Sequence, residues 1–381
     1  MRRPELPLLA VTLTAVLALI VFAIANGLNP VLLTVSIMIA ATPLMLAALG
    51  ELVVEKSGVL NLGVEGMMII GAIAGFAVAV ETGSPMLGVV AAALAGAALA
   101  LVFGVLTQML LSNQVATGLA LTLFGLGLAA LIGQPYAGIK PPAFPRLDFF
   151  LSDIPVIGRV LFGHDLMLYL AFALLAAVWL FLSRTRAGLI LRAVGESHDA
   201  AHALGYNVIG IRLAAIAFGG ACAGLGGAAL SLVRVPQWTE GMTAGAGWIA
   251  LAIVVFATWK PGRVALGAYL FGGVTILQLN FQAARITPLW LLALALLLLA
   301  VNASVRRWQQ GRPVAPVLGW WAATAATAAL AVVWAPSIQS QYLSMTPYIC
   351  TILVLVVMSG NRLRASLAAP ASLGRVFHRT G

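Results

Sequence analysis

Charge is scarce in this chain. Only 8% of its 381 residues are Asp, Glu, Lys or Arg, where a soluble domain carries about 25%. Cysteine is nearly absent. Cys222 and Cys350 both sit inside apolar runs, which suits two small buried hydrophobes and gives no disulfide framework or thiol chemistry. Histidine is limited to His164, His198, His202 and His378, all outside the apolar segments. The sequence has no H-E-x-x-H, no G-x-S-x-G and no Cys/His cluster, so no intramembrane enzyme constellation can be assembled. His198 and His202 are four apart and could mimic a metal pair, but no carboxylate or thiol partner is obvious; a solvated helix face is the expectation, with no metal. GELVVEKS, at 50–57, nearly spells a phosphate loop. Glu55 stands where that loop needs glycine, and a helix precedes it rather than a strand. The chain has no ATP site of its own by that route.

What the chain has in abundance is oil. Hydrophobic residues make up 62% of it, and the mean hydropathy of +1.06 excludes a soluble protein. Where lipid touches the backbone, only helices or a closed barrel satisfy its polar groups. Long apolar runs, instead of alternating segments of about ten residues, select helices. The fold class is therefore an all-α polytopic membrane protein. Twelve helices are expected, at 7–26, 29–49, 64–81, 86–111, 115–133, 165–183, 211–233, 246–258, 263–281, 287–303, 317–335 and 343–360. The short one, 246–258, reads as broken or tilted. With the N-terminus placed inside, Lys140, Arg146, Arg159, Arg234 and Arg285 fall outside, and the rest of the 21 basic residues fall inside. That bias puts both termini in the cytoplasm. A cleaved signal peptide is the rival for the first helix, since MRRPE is basic and Ala23 to Ala25 mimics a cleavage site. Its apolar run is longer than a signal peptide needs.

Two loops stand out. Residues 134–164, with Pro135, Pro141, Pro142, Pro145 and Pro155, read as an irregular extracytoplasmic loop, either touching a soluble partner or merely connecting. Residues 184–210 read as a cytoplasmic loop holding a short Ala-rich helix from Glu196 to Leu204, with Gly195 before it and Gly205 as its stop. Such a helix is either a handle for a cytoplasmic motor or an interfacial helix without a partner.

Polar residues at membrane depth are the strongest pointer to function. GVLNLGVEGMMIIG, at 58–71, places Asn61, Gly63, Glu65 and Gly66 at the head of an apolar helix. A carboxylate there costs at least about 2.5–3.5 kcal/mol unless it faces protein or water. The glycines suit a broken or re-entrant start that lines a cavity; a plain cytoplasmic loop with Glu51, Glu55 and Glu65 at the interface is the alternative. The second half repeats E-G-M at Glu240–Met242, ahead of Thr243 and another apolar helix. Matching interruptions in two halves point to a route between them. Trp238 and Trp248 could stack on an aromatic ring or a sugar, or simply anchor at the interface. The pairs Gly71–Gly75 and Gly220–Gly224 read as helix packing.

The phrases GELVVEKSGVLNLGVEGMMIIGA, VGESHDAAHALGYN, GGACAGLGGAALSL and TEGMTAGAGWIALAIVVFATWKPGRVALGAYLFGG resemble the membrane permeases of ABC importers of the branched-chain amino acid and simple-sugar class. LNLGVEG and EGMTAG are most similar to the nucleoside-type permeases. The resemblance covers about 30–282 and resumes at about 342–375. It implies a ten-helix-like permease core at 1–282 and 342–365, an inserted helix pair at 283–341, and a cytoplasmic tail at 366–381. It also implies a second permease subunit, a cytoplasmic ATP-binding subunit that carries the ATP and Mg, and an extracytoplasmic solute-binding lipoprotein. The setting would be a bacterial inner membrane, with nucleosides as cargo and sugars or branched-chain amino acids as the alternative. An ion-coupled carrier with Glu65 as proton site is a more distant reading. By resemblance, Gly195, Glu196, Ala200, Ala201, Leu204 and Gly205 form the coupling helix. Asn61, Gly63, Glu65, Gly66, Trp238, Glu240, Thr243 and Trp248 border the substrate path. No catalytic residue, cofactor or nucleic acid is expected for this chain. The resemblance departs at Ala246, where relatives often carry arginine.

Overall fold

A computed structural model describes residues 29–147, 157–284, 288–313, 315–333, 344–359 and 369–378, together with positions 10, 13, 14, 17, 18, 21, 24, 154 and 342. Most of the expected first helix lies outside the described residues, as do Arg2, Arg3, Pro155, Arg285, Arg362, Arg364 and Arg379.

Every regular element among the described residues is helical. The helices are α1 (Pro30–Lys56), α2 (Val64–Thr82), α3 (Pro85–Gly104), α4 (Gln114–Gly133), the short α5 (Ile157–Leu161), α6 (Leu166–Arg184), α7 (Arg186–Glu196), α8 (His198–Ala203), α9 (Val208–Ala228), α10 (Ala246–Phe256), α11 (Pro261–Ala284), α12 (Pro288–Gln309), α13 (Leu318–Val333) and α14 (Thr346–Ser359). Eight helical stretches among the described residues are long and apolar enough to cross a membrane, and Ala246–Phe256 is apolar but shorter.

Local chemistry sets the boundaries. Side chains of Asn113, Asp165, Thr185, Ser197 and Asn207 each accept a backbone N–H in the first turn of the helix that follows. Gly83 ends α2 in the left-handed region at φ 68°. Two helices reach their expected ends, at 111 and 233, to within two residues, but do so through a change of helix type. α3 runs on into a π-helical turn at Val105–Met109, and α9 into another at Ala229–Arg234. Such turns re-aim side chains, and the first of them aims Gln108.

The chain divides into two units, Ile37–Val274 with Pro347–Gly381, and Met1–Ser36 with Thr275–Thr346. In the first, α2, α3 and α9 pack at backbone distance. A side chain at Gly71 would collide with the Gly224 backbone, and one at Gly96 with Gly220 and Gly224. The paired glycines therefore serve as contact surfaces, and around them Met45, Leu46, Leu49, Met67, Met68, Phe76 and Phe103 are buried. In the second unit α12 lies against α13, with the Trp321 indole donating to Ser304 Oγ at 3.1 Å.

Two boundaries depart from the sequence reading for physical reasons. α1 continues seven residues past the expected end at 49, because Glu51 and Glu55 are buried inside the bundle. The 184–210 stretch holds two helices, not one. α7 takes its first residues, and Ser197 breaks the expected Glu196–Leu204 helix by capping α8.

Candidate functional site

The turn from Ser57 to Gly63 joins α1 to α2, and it is inside the protein. Asn61 is fully buried. Its Oδ1 accepts from Gly63 N at 2.9 Å, closing the turn on itself, and its Nδ2 reaches Met67 Sδ at 3.3 Å. Leu60 N donates to Gln114 Oε1 at 2.8 Å, and Thr122 Oγ1 donates to Leu62 O at 3.2 Å, so α4 supports the turn from one side. Gly63 and Gly66 are packed against α4 backbone at Gly118, Leu121 and Thr122. The expected loosened start is therefore a tight turn followed by a regular helix: these glycines allow close approach. Glu51, Glu55 and Glu65 are 1%, 2% and 4% exposed, so these carboxylates do not face solvent from the surface of a loop.

Glu65 joins the two halves. Its Oε2 accepts from Gly247 N at 2.8 Å, in the first turn of α10. A carboxylate at a helix N-terminus meets unpaired N–H groups and the positive end of the dipole. Gly247 leaves room for it, because a Cβ there would strike Glu65. Glu65 Oε1 and Thr243 Oγ1 are buried and face each other, without a hydrogen bond of full geometry between them and without another protein partner. Glu51 Oε1 and Gln114 Nε2 are also buried without a hydrogen bond of full geometry. Buried polar atoms of this kind demand a partner. The other end of α10 is also held, by Trp259 Nε1 donating to Glu55 Oε2 at 2.5 Å.

The expected path residues do not all converge. Asn61, Gly63, Glu65, Gly66 and Thr243 do. Trp238 is buried elsewhere, its ring on Gly133. Gly133 lies eight residues along α4 from Gly125, which packs on Gly66, a separation of about 12 Å at 1.5 Å per residue. Glu240 is exposed, and the Trp248 ring is 41% exposed. Sequence reasoning missed Tyr348, whose ring covers Gly245 and whose hydroxyl donates to Ala244 O at 3.2 Å.

A second cluster gathers around α7 and α8. Gly195 is buried against the Lys56 carbonyl, and Ala201 packs with Val194, Val208 and Phe377. Glu196, Ala200 and Gly205 are exposed, and Leu204 at the tip is 76% exposed. Gly205, at φ 87°, ends the helix as expected. Both histidines lean edge-on against Phe377, so the expected solvated face is in fact an aromatic contact. Among the described residues no group of histidines, cysteines and carboxylates could hold a metal.

Arg212, read from the sequence only as one more inside charge, is the largest fully buried side chain among the described residues. Its Nε donates to Ser57 O at 3.3 Å, its Nη1 to Gln108 Oε1 and Arg375 O at 3.2 Å each, and its Nη2 lies 3.4 Å from His198 Nδ1. The nearby ring nitrogen must accept, so His198 is neutral here. Burial first, and the Arg212 charge second, hold the His198 pKa below its ordinary value. This contribution to stability is complete above about pH 6.5 and is lost as pH falls through the depressed folded value. Melting followed between pH 8 and pH 5 should show wild type losing more stability on acidification than His198→Gln; equal losses would refute the assignment.

The sequence profile of the family described as branched-chain amino acid transport system, permease component, matches residues 33–302. The chain is 39% identical over 345 residues to a putative glucose ABC transporter permease protein, TsgC13, of Haloferax volcanii, covering 89% of this chain and 95% of that one. It is 34% identical to the guanosine ABC transporter permease protein NupQ of Bacillus subtilis over 50% of this chain and 64% of that one. It is 32% identical to the nucleoside ABC transporter permease protein NupC of Lactococcus lactis, over 52% and 66%. No solved structure matches it. An all-helical membrane architecture and a family profile over most of the chain converge: this protein belongs to the branched-chain amino acid and sugar class of ABC transporter permeases.

Proposed function

We propose that the chain is the membrane subunit of an ATP-driven importer for an uncharged, hydroxyl-bearing solute, with nucleosides as the first candidate. The observation that carries the reading is the buried group at the α2–α10 junction. There, Glu65 Oε1 and the Thr243 hydroxyl are buried side by side, next to a turn closed by Asn61, with no third protein group completing their hydrogen bonds. Among the described residues no Lys or Arg bridges Glu65. An acceptor and a hydroxyl without a fixed cation suit sugar hydroxyls and base edges better than an amino acid zwitterion.

A hexose is the second reading, favoured by one finding: the glucose-type relative matches nearly the full length of both chains. Glucose and nucleosides share a ring bearing vicinal hydroxyls, so one polar group can serve either. In this proposal the subunit crosses a bacterial inner membrane twelve times with both termini inside. It pairs with a second permease, receives cargo from an extracytoplasmic lipoprotein, and meets a cytoplasmic ATP-binding subunit through α8. The exposed Leu204 tip is the contact that the ATPase would take.

The test is reconstitution with the partner subunits and uptake of labelled guanosine and glucose. ATP-dependent accumulation of either is the expected result, with guanosine the faster. Uptake that persists without the ATP-binding subunit would overturn the assignment.

A further inference from the structure

The C-terminal segment Pro370–Phe377 reads in sequence as a cytoplasmic tail, but its described residues are built into the protein. Ser372 N donates to Gly195 O at 2.9 Å, and Gly374 N donates to Gly58 O at 3.1 Å. Ser372 Oγ adds a bond to Glu196 O at 3.3 Å. Phe377 is buried among Val194, Ala201 and Val208, beneath the His198 and His202 rings. The segment thus spans from the end of α7 to the turn that precedes Asn61, and its far end lies under α8.

Arg212 fastens the same parts from within. One guanidinium reaches the Ser57 carbonyl of that turn, Gln108 of the π-helical turn, the Arg375 carbonyl of the C-terminal segment and His198 of α8. Its partners are neutral, so what Arg212 supplies is a rigid fork of donors that fixes four elements at once. Gly58 is where they converge. It sits at φ 90°, and a Cβ there would lie 2.9 Å from Arg212 Nη2, 3.3 Å from Gly195 Cα and 3.3 Å from Ser372 O.

We propose that Pro370–Phe377, locked by Arg212, is a strap that transmits movement of α8 to the Ser57–Gly63 turn, which makes Arg212 and Phe377 positioning residues for transport. This rests on the reading of α8 as the contact for the ATP-binding subunit. Two features support transmission over simple stability. Besides two turn bonds of its own, Leu373 N to Pro370 O and Arg375 N to Ser372 O, the strap bonds to Gly195 and Gly58, where the end of α7 meets the turn. Its aromatic anchor sits on α8 itself, the element that would receive the stroke, and Leu204 at the tip of α8 stays exposed.

The test uses the complete complex in proteoliposomes, with ATP hydrolysis and uptake of labelled guanosine and glucose measured together. Three changes are compared: Phe377→Ala, Arg212→Gln, and a chain ending at residue 368. ATP hydrolysis is expected to stay near wild type, while solute carried per ATP falls about five- to tenfold, the low end of coupling between two sites. A defect of stability alone would lower the amount of active complex, and so hydrolysis and uptake in proportion. Phe377→Ala leaves the buried guanidinium in place, and it decides the matter where the other two changes fail to assemble. An unchanged ratio of solute to ATP in Phe377→Ala overturns the strap. Wild-type uptake that needs no ATP-binding subunit removes the functional reading itself, an outcome distinct from a coupled wild type with unaffected variants.

Discussion

Glu65→Ala should lose both stability and transport. The change strands Gly247 N–H at the start of α10, and an orphaned buried donor costs about 1–3 kcal/mol. A loss of about 2 kcal/mol at the limiting step corresponds to about thirtyfold in rate. Glu65→Gln separates the two roles, because the amide oxygen can still accept from Gly247 N while the free carboxylate oxygen is replaced by a donor. Its melting temperature should match wild type, and its uptake should fall about tenfold, or about 1.4 kcal/mol. Wild-type uptake in Glu65→Gln would assign this residue to fastening α10 and nothing more. The pair of variants is best read with binding-protein-dependent uptake and a melting curve on the same preparation.

Gly71→Leu is expected to leave little folded protein. Gly71 lies directly on the Gly224 backbone, so a leucine must force α2 and α9 apart. Overpacking a well-filled interior costs about 1–3 kcal/mol for added methylenes. Separating two backbones in contact also removes dispersion contacts along the shared face. The total should exceed about 3 kcal/mol, enough to unfold a marginally stable protein. Gly127→Leu is the control: Gly127 is exposed on α4, and nothing lies within 4 Å of a Cβ built there. Yield after detergent extraction reads both. Equal yields would contradict the packing of α2 on α9.

The helical frame was legible because lipid leaves the backbone few options, and hydropathy alone located most of the long spans to within a few residues, with the ends of α1 and α12 the exceptions. Where the text of the sequence misled, burial was the reason. Glu51 and Glu55 looked like the polar end of a helix, yet α1 carries them into the protein interior. The glycines of GVLNLGVEG looked like flexibility, and they turned out to be surfaces for α4. α7 was hidden by the charges at its ends, although its N-cap, Thr185, follows the usual rule. The repeated E-G-M suggested that Glu65 and Glu240 share a site. Only Glu65 is at the junction, since three residues specify too little to fix a three-dimensional position. Arg212 could have been noticed as a cation just past the first turn of α9, close to a helix end that favours anions. Two of its four partners are backbone carbonyls, which no residue pattern announces.

α10 has a mechanical consequence of its own. Its 11 residues span about 16 Å, roughly half of a bilayer's hydrocarbon depth of about 30 Å. Bonds near its two ends run to α2 through Glu65 and to α1 through Glu55. A helix does not stretch. If α1 slides against α2 during a cycle, this crossbar has to swivel or let go at one end, so shear in the first half of the protein becomes rotation in the second.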